Sequence, residues 1–446
     1  MKGISEFILV LLILIIAVVS ISLVWLSYNA FFRHITFSED TSALSEALSS
    51  CMKIDSAKNE KIYLKNCGSG LIKDDKLNVF IDDESFEFTM IPESIVKSEI
   101  AEITIKGLWG ISLGNHKIKI ASPSGKVERY VKATLPDSCM LALDFDEGEG
   151  TIAYDSSEYG NDGLLNNFDI FDCSSVYQYS TITVSCPRDL LINSIESSVY
   201  VDPNSPASCS DPGPAGFCNR YCDYADNCIG QNSCSFTVDD TICGGDPCPG
   251  TTKELILNVS CSYWVNGKFG KALEFDGIDD YVEVEDTSSI SLSDTFTLEA
   301  WVYPINIDST ISKQHIIAKG DGNNPTEYTL HFDDLEKPTK KVEFKANELD
   351  TEGSDTYIQA PYTYGADVWS HILANYNGTT LNIYINGNLT EFEDVFEGTV
   401  GDSSLPLRIG SAKSAEFFNG TVDSVRIYNK VLIPDETVVL TLGELT

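Results

Sequence analysis

WSHILANYNGTTLNIYINGNL, residues 369–389, decides how the chain folds. Along Leu381-Asn382-Ile383-Tyr384-Ile385 apolar and polar residues alternate with the two-residue period of a strand that buries one face. The strand ends at Asn386-Gly387, a dipeptide that tolerates positive φ and therefore suits a tight two-residue hairpin. A half-buried strand with a hairpin turn needs a second apolar layer, so this stretch points to a two-sheet antiparallel sandwich. The same pattern recurs upstream. Lys61–Lys65, Leu77–Ile81, Ser85–Phe88, Ile103–Ile105 and Lys117–Ile120 read as short strands, separated by turn chemistry at Cys67-Gly68-Ser69-Gly70, Asp82-Asp83 and Ser122-Pro123-Ser124-Gly125. Residues 51–138 are therefore expected to form a small β-sandwich.

Six blocks extend the first reading from residue 141 to residue 432: LALDFDEGEGTIAYDSSEYGNDGLL (141–165), WVNGKFGKALEFDGIDDYVEV (264–284), FTLEAWVYP (296–304), the quoted segment, LRIGS (407–411) and FNGTVDSVRIYNKVL (418–432). Together they resemble the laminin-G-like, concanavalin A-like jelly roll. In that family the first two blocks are near neighbours, whereas here about a hundred residues separate Asn167 from Trp264, which marks an insertion at a loop tip. The insertion carries ITVSCPRDLLINSIESSVY (182–200), NCIGQNSCSF (227–236) and GDPCPGTTKELILNVSC (245–261). It resembles the galactose/rhamnose-binding lectin domain of the sea-urchin-egg-lectin type. That resemblance implies the disulfides Cys173–Cys209, Cys186–Cys261 and Cys228–Cys234, with Cys248 bonded to Cys218 or Cys222 and the other of these to Cys243.

The chain opens on a different chemistry. From Phe7 to Tyr28 runs an uncharged stretch rich in Ile, Leu and Val, long enough to cross about 30 Å of hydrocarbon as one helix. No small-x-small cleavage site follows it, so retention as an anchor is expected, with the short end bearing Lys2 inside and the rest exported. Met1-Lys2-Gly3-Ile4-Ser5-Glu6-Phe7 resembles the N-terminus of archaeal type IV pilin-like and archaellin-like proteins. The resemblance implies processing after Gly3, and it implies that Glu6 neutralises a neighbouring subunit's amine in a helical bundle. The family places this glutamate farther from the cut.

Composition agrees with export. Of thirteen cysteines ten lie between Cys173 and Cys261, at irregular spacings and with no histidine among them, which favours disulfides in an oxidising compartment over zinc. Cys51 and Cys67 can pair locally, leaving Cys139 unpaired or intermolecular. A formal charge of −37 repels nucleic acid and anionic lipid and keeps an exposed protein soluble. Asn258, Asn377, Asn388 and Asn419 open N-glycosylation triplets.

Candidate sites follow from these parts. The lectin resemblance implies that Tyr200, Asp246, Gly250 and Lys253 converge on a monosaccharide. Ser174, Val201-Asp202, Thr252 and Glu254 stand where that family has other ligand-contacting residues, removing hydroxyl partners at about 1 kcal/mol each. The loop Tyr154–Gly163 is dense in carboxylates, and the jelly-roll resemblance implies Ca²⁺ there. Asp155, Asn161 and Asp162 are the expected ligands, with Asp423. Asp276, Asp279 and Asp280 have the look of paired catalytic carboxylates, but the block containing them is common in non-catalytic jelly rolls. No HExxH, G-x-S-x-G or phosphate-binding glycine loop is present. Trp264, Trp301 and Trp369 sit in strand-like blocks, where core packing is the expected role.

The sequence therefore predicts a mainly β protein: an N-terminal transmembrane α-helix (1–35), a linker (36–50), a small β-sandwich (51–138), and a jelly roll (139–167 and 263–446) carrying an inserted disulfide-rich α/β lectin-like domain (168–262). The expected protein is a membrane-anchored cell-surface binder of glycans or glycoproteins, not an enzyme. The alternative is a subunit of a pilus-like surface filament.

Overall fold

The structure is a computed structural model that describes residues 51–446, apart from 169–170, 188–189, 205–206, 210–219, 306–312, 321–325, 334–339, 347–355, 395–399, 413–415 and 443–446. The expected membrane helix, Gly3 and Glu6 lie outside the described residues, as does Cys218. No helix among the described residues is long and apolar enough to cross a membrane. The described chain divides into two compact units, the first made of residues 51–106, 114–133 and 440–442, the second of 107–113 and 134–439.

In the first unit the strands expected as a two-sheet sandwich are hydrogen-bonded into one nine-stranded sheet, with a two-stranded ribbon of Ile72–Lys73 and Ser94–Ile95. Ile54, Ile62, Leu64, Val79, Ile81, Ile103, Ile105, Ile118 and Ile120 are buried and alternate with polar neighbours, so one face carries the core. The sheet closes through a strand the sequence had assigned to the jelly roll. Val439–Leu442 lies between Gly125–Thr134 and Met52–Asn59, with Lys58 opposite Thr441 and Asn59 opposite Leu440. A disulfide joins Cys51 and Cys67.

The second unit contains two eight-stranded antiparallel sheets. One orders Trp264–Asn266, Lys271–Asp276, Asn419–Tyr428, Phe296–Pro304, Ser370–Tyr376, Thr380–Ile385 and Asn388–Asp394, with Cys139–Leu143 beside Asn419–Tyr428. The other orders Ile152–Ala153, Gly163–Asn166, Tyr281–Val284, Leu407–Ile409, Lys313–Gly320, Thr326–Asp333, Lys341–Ala346 and Thr356–Pro361. Between them lies a continuous apolar core that includes Phe275, Phe296, Leu298, Tyr328, Leu330, Phe344, Ile383 and Ile427. The hairpin at Asn386-Gly387 has φ of 50° and 79°, as a turn with two positive-φ residues requires.

The insertion folds as a four-stranded sheet of Phe171–Tyr177, Glu254–Cys261, Ile192–Val201 and Arg220–Tyr221, plus a hairpin pair of Thr181–Ser185 and Ser233–Thr237. Its described residues hold one 3₁₀ segment, Asp223–Cys228, and no α-helix, so the expected α/β character is not seen there. Cystine sulfur supplies much of its small core: Cys186, Cys222, Cys228, Cys234, Cys243 and Cys261 are all buried with Ile182, Tyr200 and Leu257. The disulfides are Cys173–Cys209, Cys186–Cys261, Cys222–Cys243 and Cys228–Cys234. Cys222 thus takes Cys243, and Cys248 is also disulfide-bonded. Cys139 is buried with a free thiol.

Candidate functional site

In the insertion, antiparallel pairing places Val201 opposite Glu254 and Tyr177 opposite the same residue, so the ends of three strands meet beside the loop that carries Asp246 and Lys253. Lys253 is only 2 % exposed. Its ammonium lies 2.5 Å from Asp246 Oδ1 and donates to the Thr251 carbonyl at 2.8 Å. A buried ammonium needs such partners, and this pair closes the loop on itself. Lys253 holds the Asp246 carboxyl below the usual carboxylate range, helped by the Cys248 N–H that donates to Oδ1 at 2.8 Å. Tyr200 is buried and its hydroxyl donates to Asp240 at 3.0 Å. Burial, then Asp240, push the phenol well above its ordinary value, and the Tyr179 and Asp246 charges act in the same direction. Gly250, at φ 94°, has open space where a Cβ would stand.

All four expected sugar-site residues are therefore gathered at one loop, with Gly250 between Asp246 and Lys253, but Tyr200 and Lys253 face inward and spend their polar atoms on the protein. The outward groups are ones the sequence reading did not single out. Tyr177 and Tyr179 are exposed beside the loop, held by Gln178 N donating to the Lys253 carbonyl at 2.7 Å and Tyr179 N to the Val238 carbonyl at 2.6 Å. Exposed tyrosines next to a carboxylate supply what a sugar needs, an apolar face and a hydroxyl acceptor. Two exposed aromatics flanking the strand pair were visible in the sequence as Tyr177-Gln178-Tyr179.

A second concavity lies where the insertion meets the jelly roll. It encloses about 830 Å³, and Leu191, Asn193, Trp264, Asn266, Tyr303 and Trp369 are among its lining residues. This is the size of a small-ligand cleft. Trp264 and Trp301 are core residues as expected, but Trp369 is only half-buried and stands 5.5 Å from Tyr303 on the cleft wall.

The four residues expected to hold Ca²⁺ do not converge. Asp155 accepts from the N–H groups of Ala142, Ser157 and Asn161 at 2.8–2.9 Å and from the Ser157 hydroxyl at 2.7 Å, which occupies both its oxygens. The buried Asn161 amide donates to the Met140 carbonyl at 2.8 Å and to Ser289 at 2.9 Å, and its oxygen accepts from Thr287. Asp162 caps the Asp155 N–H at 2.9 Å. Asp423 sits on another strand, buried against the Phe269 N–H at 2.9 Å; burial, with Asp146 nearby, pushes its carboxyl up to about 7. This donor set shapes turns and does not fit a shared hard cation, which needs six to eight converging oxygens.

Two other groupings bring ligand-type atoms within 4.8 Å of one another: His331, Asp333 and Glu343; and Asp276, Asp279 and Asp280. The first lies on the sheet face opposite the core, where His315, His331, Glu343 and Gln359 form one cross-strand row. Glu343 is buried, which alone would raise its carboxyl, but His331, Gln359 and Lys313 outweigh burial and hold it below the usual carboxylate range. Lys313 lies 3.7 Å from it, so positive charge is already in place. In the second grouping burial, with Asp276 and Asp279, pushes Asp280 up to about 8. Among the glycosylation triplets, Asn419 is half-buried and donates its amide to the Asp276 carbonyl at 2.7 Å, whereas Asn377 lies on an exposed turn.

Residues 276–437 match the concanavalin A-like lectin/glucanases superfamily, and residues 184–261 match the D-galactoside/L-rhamnose binding SUEL lectin domain. The chain thus carries a laminin-G-like jelly roll with a SUEL-type lectin domain inserted in it, the first from a superfamily of lectins and glucanases, the second from a family of sugar-binding lectin domains. Similar solved structures include domain 4 of AbnA, a GH43 extracellular arabinanase from Geobacillus stearothermophilus, in complex with arabinotriose. It is 17 % identical over 39 % of this chain and 78 % of its own, with a TM-score of 0.31. The Ruminococcus gnavus IT-sialidase CBM40 bound to α2,3 sialyllactose is 14 % identical over 37 % and 95 %, with a TM-score of 0.29. The Botulinum neurotoxin serotype G binding domain is 12 % identical over 67 % of this chain and 49 % of its own, with a TM-score of 0.33. At these TM-scores the likeness extends to neither site nor ligand.

Proposed function

We propose that the protein is a membrane-anchored, extracellular carbohydrate-binding adhesin that recognises glycans or glycoproteins on a neighbouring surface. The observation that carries this reading is the SUEL-type insertion with its loop closed by Asp246 and Lys253 and bordered by the exposed Tyr177 and Tyr179. A pyranose stacks its apolar face on Tyr179 while its hydroxyls meet the outer edge of Asp246. Disulfides in both units support export to an oxidising compartment, and the apolar stretch Phe7–Tyr28 supports a membrane anchor.

A glycan array probed with the full chain tests the reading. Tyr179→Ala should abolish retained signals, whereas Trp369→Ala should spare them. The reverse pattern would move recognition to the cleft at Trp369 and Tyr303, which the aromatic pair there favours as a second site. A chain that binds no glycan in either form ends the proposal. The filament reading differs at the other end of the molecule: it requires a mature N-terminus after Gly3 and assembled fibres, and an adhesive filament subunit would satisfy both.

A further inference from the structure

We propose that Asp276, Asp279 and Asp280 hold one Ca²⁺ ion at the turn between strands Lys271–Asp276 and Tyr281–Val284. The site is distinct from the Asp155–Asp162 loop, and it stands on geometry that is independent of any sugar.

The turn is built before a cation arrives. Gly277 adopts φ 81°, and a Cβ there would stand 2.6 Å from Asn419 Nδ2. Asn419 in turn donates to the Asp276 carbonyl. Asp276 N donates to Asp280 Oδ2 at 2.8 Å, and Ile278 N to Asp276 Oδ1 at 2.7 Å. These bonds hold the Asp276 and Asp280 carboxyls in one turn, with oxygens within 4.8 Å of each other. They leave Asp280 Oδ1 without a hydrogen-bond partner in a residue that is 1 % exposed. A buried carboxyl oxygen with no donor facing it is uncompensated, and a cation would satisfy it. Neither Asp276 nor Asp280 has an ion-pair partner among the described residues.

The separations suit calcium. Oxygens on one Ca²⁺ at about 2.3–2.6 Å lie at most about 5 Å apart, and the three carboxylates each offer an oxygen within 4.8 Å of the others. Asp279 is exposed and Asp276 half-buried, so one side is open for water to complete the coordination. An all-oxygen set selects a hard cation over zinc or copper. The His331–Asp333–Glu343 grouping is the weaker candidate because Lys313 already supplies its positive charge.

The test is calorimetric titration of Ca²⁺ into the full chain after EDTA treatment and dialysis, with thermal melts run alongside. Saturable 1:1 heat and a Ca²⁺-dependent rise in Tm of several degrees are expected. Asp280→Asn should weaken binding at least tenfold and erase the rise. Because Asp280 also holds the turn, Asp279→Ala, an exposed change, provides the second arm and should weaken binding while melting like the parent in EDTA. Asp162→Asn should bind like the parent. Absence of heat and of a melting shift in the parent overturns the proposal, as does an unchanged Ca²⁺ response in both Asp280→Asn and Asp279→Ala. Neither readout uses a glycan, so the outcome is separate from that of the adhesin reading.

Discussion

Replacing Glu299 by Gln should cost the second unit several kilocalories, and the reason is local. Glu299 is 1 % exposed; its Oε1 lies 2.7 Å from His371 Nε2 and its Oε2 accepts the Tyr428 hydroxyl at 2.6 Å. Arg426, also buried, reaches the same carboxylate at 4.0 Å and otherwise Asp144 at 3.4 Å. The indole of Trp109 stacks on His371 with ring centroids 5.0 Å apart and covers the group. Removing one partner of a buried ion pair leaves an uncompensated charge and costs about 3–5 kcal/mol. At about 2 °C per kcal/mol for a unit of this size, Tm should fall by about 6–10 °C. Burial opposes ionisation of Glu299, but His371, Arg426 and Tyr428 outweigh it and hold the carboxyl below its ordinary value. A depressed folded pKa contributes stability above the unfolded value of about 4.3 and loses it as pH falls through the folded value. The gap between parent and Glu299→Gln should therefore be full at pH 7 and narrow below about pH 4. Thermal melts of the full chain across pH 3–8 measure it, and a double-mutant cycle with Arg426→Met should show coupling of at least about 1 kcal/mol. A loss under about 1 kcal/mol at pH 7, or a gap that does not change with pH, would refute the electrostatic account.

Asp423 behaves in the opposite sense. Its folded carboxyl titrates at about 7, so the native state keeps a proton that the unfolded chain releases near pH 4, and stability falls between those values. Asp423→Asn should melt progressively higher than the parent over that window and hold a constant gain above pH 7. Gly410 has φ 85° and its Cβ position falls on the ring of Phe275, so Gly410→Ala should lose at least about 2 kcal/mol in chemical denaturation. The thiol of Cys139 is buried and, through burial above all, pushed up to about 12. Iodoacetamide should leave it unmodified in the folded chain at pH 8 and label it once denaturant is added.

What the sequence revealed is what local chemistry encodes. Thr380–Ile385 and its Asn386-Gly387 turn were legible because alternation and positive φ are decided within a few residues. The insertion was legible through its cysteine order. The row of His315, His331, Glu343 and Gln359 was not, since only the register of three hairpins brings those residues together. Lys253 was legible in part: the lectin resemblance implied a ligand contact, while its spacing from Asp246 also allowed a pair that holds the loop, and the fold shows that pair together with the Thr251 carbonyl. The order of the nine strands was not legible, because strand neighbours are chosen over long sequence distances.

The position of Val439–Leu442 sets the order in which the molecule can be finished. It is the seam between Gly125–Thr134 and Met52–Asn59, so the sheet's two halves, made early, stay unjoined until every residue of the second unit has been synthesised. A chain made from its N-terminus would hold two unjoined strand edges until Val439–Leu442 arrives to pair with both. Completion of the second unit is thereby recorded in the first, and a chain stopped before residue 439 would carry an open sheet that quality-control proteases can recognise.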